Sequence, residues 1–183
     1  MQPFLKIDSI KPNEKIIRHR PYGVIETRNG RFSSIRFRPW PKLVSATEAA
    51  IWGAIKNNST SHDRCQIYFN QPIGHRKFIA LKYIESSTGT TLATLWRAMQ
   101  TLDEVARIKR TDAILGHVTN QRISDRLMER WGWERHLTKN KGRHFIKRFY
   151  GKYPGDQKTD FSQKVPAIVG PQSVSGNALD VRV

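Results

Sequence analysis

The chain has 183 residues, room for one domain of ordinary size or for a domain with a tail. Its 32 Lys and Arg against 15 Asp and Glu leave a formal charge of +17, so most of the solvated surface is positive and attracts polyanions. A single cysteine, Cys65, excludes an intrachain disulfide framework and a multi-cysteine zinc site; there is no apolar run of signal-peptide or bilayer-spanning length, and the expectation is a soluble cytoplasmic protein with no membrane contact.

Residues 1–20 set isolated hydrophobics among Lys11, Pro12, Lys15, Arg18 and Arg20 without a period, which predicts an irregular arm. Tyr22 to Thr27 and Phe32 to Arg38 alternate around Arg28-Asn29-Gly30-Arg31, and Asn-Gly accepts the positive φ of a tight turn, so a hairpin is predicted. After Pro39-Trp40-Pro41, Ser45 and Glu48 form a capping box ahead of Ala49, Ala50, Ile51, Trp52, Ala54 and Ile55, the signature of a helix start. Cys65 to Phe69 and Lys77 to Ile84 read as antiparallel strands, and Glu85 to Thr90 as a turn. From Thr91 the residues Leu92, Leu95, Trp96, Met99, Leu102, Val105, Ala106 and Ile108 recur at three- and four-residue steps, which predicts a long amphipathic helix. Asp112 to Val118 reads as a buried strand. Thr119-Asn120 then caps a helix over Arg122 to Arg130, which stops at Gly132. Trp133 to His136 and His144 to Phe149 form a closing hairpin, and beyond Tyr153-Pro154-Gly155 the composition predicts a mobile tail. The organisation is one domain over 1–152 and a flexible tail over 153–183. The fold class is α/β (α+β), with a mixed, mostly antiparallel central sheet and helices on both faces.

The stretch from Phe78 to Phe149 runs strand, Ser/Thr/Gly turn, long helix, strand, Asn, helix, Gly-aromatic, strand. In this order, with Ile114-Leu115-Gly116-His117-Val118-Thr119-Asn120 followed by Arg126-Leu127-Met128-Glu129-Arg130-Trp131-Gly132-Trp133, the chain resembles a divergent member of the GNAT family, the acyl-CoA-dependent N-acyltransferases. The resemblance implies that Ile84, Ser86, Gly89, Thr90 and Thr91, at the end of a strand and the start of a helix, bind acetyl-CoA or another acyl-CoA. Asn120 would make a further cofactor contact. A helix N-terminus with a glycine beside it suits a diphosphate, because its N–H groups are unpaired and the backbone can come close. Of the family's pattern at that turn only Gly89 matches. Where many members carry a tyrosine that protonates the leaving thiolate, this chain has Met128, which cannot donate a proton. Tyr83 or Tyr150 could replace it. The chain therefore reads as an acyl-CoA N-acyltransferase or as a descendant that has lost turnover.

Acyl transfer to an amine needs a base. Glu85, where the strand meets the turn, and His117, in the apolar strand, are the candidates. His62, His75, His136 and His144 lack the paired spacing of a metal site, and no metal is expected. A second class remains open. Residues 126–152 hold nine Lys and Arg among five aromatics, and residues 15–38 hold seven, a pattern suited to a phosphate backbone and stacked bases. Arg28, Arg31, Arg36, Arg38, Arg143, Lys147 and Arg148 are the candidate contacts to RNA or DNA for a basic nucleic-acid-binding protein without catalysis.

Overall fold

Asn29 and Gly30 have φ of 49° and 70° in a computed structural model of the chain, which describes residues 4–41, 63–87, 89–118, 123–136 and 142–154. Two successive left-handed residues give the tight turn that matches strand twist. They join β2 (Tyr22–Arg28) to β3 (Arg31–Phe37), as the Asn-Gly pair predicts. The amino-terminal arm is not irregular. β1 (Leu5–Ile7) pairs with the outer edge of β3, Leu5 opposite Phe37 and Ile7 opposite Ile35, and α1 (Glu14–His19) follows a single 3-10 turn and buries Ile17. A three-residue strand is too short for its alternation to register as a pattern.

On the other side of β2 run β4 (Arg64–Asn70) and β5 (Phe78–Ser86), antiparallel as expected, with Ser86 still in the strand. The long helix α2 (Leu92–Lys109) is capped by Thr91, whose hydroxyl accepts from the Thr94 N–H at 3.2 Å. β6 (Ala113–Val118) lies parallel to β5. The next helix, α3 (Asp125–Arg130), starts later than expected because Ser124 caps it, accepting from the Leu127 N–H at 3.2 Å; Asn120 lies outside the described residues. β7 (Glu134–His136) and β8 (Arg143–Arg148) are antiparallel neighbours, and β8 inserts between β6 and β7. The sheet order is β1-β3-β2-β4-β5-β6-β8-β7, mostly antiparallel, with β5 and β6 the parallel pair among the described strands. The helix expected after Ser45 and the tail beyond Pro154 also lie outside the described residues.

The register places Ile25, Ile35, Ile67, Phe69, Ile79 and Ile114 on one face, all fully buried or nearly so, under Ala98, Leu102, Val105 and Ala106 of α2. Both later helices meet this face. Thr27 donates to the Thr94 carbonyl at 3.0 Å, Lys147 to Asp103 at 2.7 Å, and Arg143 to Asp125 at 2.8 Å through Nε. No helix among the described residues is long and apolar enough to cross a membrane.

Candidate functional site

The β4–β5 ladder slips in the middle. Tyr68 faces Tyr83, yet Phe69 faces Leu81, so Lys82 is an extra residue in β5. Such a bulge bends and twists its strand. The bend falls where β5 leaves β6: the parallel pairing runs from Phe78 opposite Ala113 to Leu81 opposite Gly116 and ends there. β5 continues to Ser86 against β4, and β6 continues to Val118 against β8. The two strands part, and the edge of β5 from Lys82 to Ser86 that faces β6 has no ladder partner among the described strands.

Alternation then sorts the candidate residues. Ile84 and Ser86 fall on the face covered by α2, in line with Ile67 and Cys65. Tyr83 and Glu85 fall on the opposite face beside Tyr68, with the two tyrosine rings 6.0 Å apart and the Tyr68 hydroxyl donating to Glu85 Oε2 at 3.5 Å. Partial burial pushes the Tyr68 phenol up from its ordinary value, helped by the Glu85 charge, against Arg36 and Arg38. His117 follows Gly116 on β6 and shares the Tyr83 and Glu85 face, on the other lip of the opening. Its ring stacks on His144 at 4.4 Å, and desolvation together with that neighbour lowers its pKa below the usual histidine value. The residue that leads into β8 packs against the ring: a Cβ at Gly142, where φ is 106°, would overlap His117 Nε2.

The turn after β5 is tied down by its own chain. Thr90 N–H donates to Ser87 O at 3.1 Å, and the Thr90 hydroxyl donates to Arg64 O. Asp63, just before β4, accepts from Thr91 N–H at 2.9 Å, from the Thr91 hydroxyl at 2.9 Å and from the Thr94 hydroxyl at 2.7 Å. Burial alone would raise the Asp63 pKa, but these three donors hold it below the ordinary carboxylate value. An internal carboxylate thus sits where the helix N-terminus would receive an external anion, and the N–H groups of Thr90 and Thr91 are both engaged. The diphosphate end of a coenzyme A does not fit this turn as it stands.

The remaining sequence candidates separate clearly. Met128 is 2% exposed and belongs to the core, and Tyr150 stands in solvent with φ of 48°. Cys65 is a buried free thiol whose pKa is pushed up to about 12, by burial first and then by Asp63 and Glu85. No cluster of three or more metal-ligating side chains occurs among the described residues. Tyr68 and Asp63 were missed because neither stands in a recognisable motif; the strand register and a contact 28 residues along the chain bring them in.

The two basic hairpins do not present one free stripe of cations. Lys147 is a correction to the expected nucleic-acid surface: it is 9% exposed and paired with Asp103 inside the protein. Arg143 pairs with Asp125, Arg148 with Glu134, and Arg28 with Glu26. Arg36 approaches Glu26 at 4.0 Å, and Arg38 buries Nη1 without a hydrogen-bond partner. Glu26, caught among Arg28, Gln66 and Arg64, has its pKa lowered to about 2 although its burial works the other way. Of the seven expected contacts, Arg31 alone is exposed and engaged in no ion pair or hydrogen bond through its side chain among the described residues.

No known family's profile, no curated protein and no solved structure matches this chain.

Proposed function

We propose that the protein is a divergent GNAT-like acyl-CoA N-acyltransferase or a descendant of one that binds without turnover, and that the acyl-bearing arm enters between β5 and β6. One observation carries this reading: the bulge at Lys82 coincides with the point where the parallel strands separate, and Glu85, Tyr83 and His117 flank the opening on one face. The bound thioester supplies an electrophilic carbonyl. Glu85 takes the proton of the attacking amine, held in place by the Tyr68 hydroxyl. Tyr83 is the phenol available to return a proton, and His117, its pKa lowered by desolvation and by His144, is a second base on the opposite lip. No step is assigned to the diphosphate, because Asp63 fills its seat. A mixed sheet with helices on both faces and a cytoplasmic location complete the reading.

The test is calorimetric titration of the whole chain with acetyl-CoA and with S-acetylpantetheine, alongside an assay for thiol release with a pool of small amines. Saturable heat from both ligands, with affinities within about tenfold of each other, is expected. Absence of heat and of any thermal shift at about millimolar ligand overturns the proposal. Binding without thiol release assigns the protein to the descendant without turnover.

A further inference from the structure

Between the β2–β3 turn and the first half of α2 lies an open groove of about 500 Å³, with Gly30, Arg31 and Phe32 on one wall and Trp96, Arg97 and Gln100 on the other. We propose that this groove binds single-stranded nucleic acid, with Phe32 and Trp96 stacking bases and Arg31 and Arg97 holding the flanking phosphates. It shares no lining residue with the β5–β6 opening and does not depend on the acyl-CoA reading.

The walls are fixed in place. Gly30 N–H donates to the Thr94 hydroxyl at 2.6 Å, and Thr94 itself donates to Asp63 at 2.7 Å, so the hairpin tip is fastened to α2 at the residue that follows Ala93. Residues 93, 96, 97 and 100 recur at the three- and four-residue steps that define one helix face. Arg31 and Arg97 are both exposed, and neither meets a carboxylate among the described residues; no acidic residue lines the groove. Two unpaired guanidiniums beside two aromatic rings match alternating phosphates and bases, and the Gln100 amide offers both a donor and an acceptor to a base edge. The volume is in the range of ligand sites. The shape favours a strand over a lone nucleotide, because the groove is not closed over. Outside the groove Trp96 also meets Trp131, whose ring is 5.3 Å away and which follows the exposed Arg130. The chain's charge of +17 steers any polyanion toward such a site.

Because so basic a protein binds polyanions weakly over its whole surface, the experiment compares variants of equal charge. Binding of a fluorescein-labelled oligothymidylate of about ten nucleotides is followed by anisotropy across a salt series. Arg31→Gln with Arg97→Gln is set against Lys11→Gln with Lys15→Gln, exposed cations of α1 and the turn before it. The groove pair is expected to lose about tenfold in affinity and to flatten the logarithmic salt slope by about 1.4, the share of two phosphate contacts, with an unchanged melting temperature. The control pair is expected to lose less than about threefold. An abasic strand of equal length is expected to bind about tenfold more weakly. Equal losses in the two pairs, or equal binding of the abasic strand, overturn the proposal. Polyglutamate binding as tightly as the strand, with the same loss in the groove pair, would make the ligand an acidic peptide. Thymidine monophosphate competing as well, nucleotide for nucleotide, would make it a free nucleotide. Either outcome also overturns it.

Discussion

Replacing Lys147 with methionine is expected to destabilise the fold by about 3–5 kcal/mol near neutral pH, the usual cost of stranding a buried charge. Lys147 Nζ and Asp103 Oδ2 are 2.7 Å apart with side chains 9% and 6% exposed, a gross attraction of about 6 kcal/mol at an effective dielectric constant near 20. Desolvation of the two ions offsets most of that gain, so the pair contributes little net stability while its dissolution is expensive. Methionine keeps the length of the side chain running under Gly132, whose added Cβ would lie 3.4 Å from Lys147 Cε, and removes the ammonium alone. Burial already pushes the Asp103 carboxyl above its ordinary value of 3.8 while Lys147 pulls it down, so loss of the lysine raises it further. A carboxyl whose folded pKa is raised gives its full contribution below the unfolded pKa and loses it as pH rises through the folded value. Lys147→Met should therefore approach wild-type stability near pH 4 and fall behind progressively toward about pH 7. Adding Asp103→Leu removes the stranded charge and should bring stability back to within about 1 kcal/mol of wild type or above it. Urea unfolding followed by tryptophan fluorescence, with Trp133 buried in the core as a reporter, measures all three proteins. A loss below about 1 kcal/mol for Lys147→Met at neutral pH, or one independent of pH, refutes the reasoning.

Asp63→Asn neutralises the carboxylate at the start of α2 and is expected to strengthen acetyl-CoA binding by about twofold to fivefold while leaving S-acetylpantetheine unchanged. Calorimetry reads both ligands, and a parallel change in the two would show that Asp63 does not hold the diphosphate seat. Arg110, at the end of α2, is exposed and left-handed with φ of 54°, so Arg110→Gly should stabilise the protein by about 0.5–1 kcal/mol and raise Tm by about 2–3 °C in a thermal melt. A lower Tm would mean that the arginine side chain contributes more than the backbone strain costs.

What the sequence made legible was local. Asn29-Gly30 announces its turn in two residues, the α2 stripe repeats over five turns' worth of apolar positions, and the alternation of Ile35, Arg36 and Phe37 already separates inside from outside. What stayed hidden was set by partners far along the chain. The bulge at Lys82 exists only relative to Phe69 and Tyr68, and without it neither the parting of β5 from β6 nor the common face of Glu85 and His117 can be deduced. The insertion of β8 between β6 and β7 likewise depends on pairing Phe145 with Gly116, which no hairpin signal states. Glu85, Tyr83 and His117 were therefore identified as residues before their shared geometry could be. Lys147 was misplaced on the surface for the opposite reason: a lysine among alternating cations looks solvated until Asp103, 44 residues away, is brought beside it.

The same long-range pairing decides what the excess of positive charge means. Glu26 is shared among Arg28, Arg64 and Arg36, Asp125 between Arg143 and Arg135, and Arg107 takes both Glu104 and Glu14. These carboxylates sit inside basic clusters and are spent on holding strands and helices together. A cation in such a cluster is engaged within the fold, and around Glu26, whose side chain is 8% exposed, its loss strands a dehydrated carboxylate. A cation outside every cluster, as Arg31 and Arg97 are, contributes nothing comparable to packing, so its charge remains available to a ligand. Membership of a basic hairpin therefore does not identify a binding residue in this protein; distance from the nearest carboxylate does. By that measure the nucleic-acid reading moves away from the two hairpins as wholes and onto the groove where the guanidiniums of Arg31 and Arg97 meet aromatic rings.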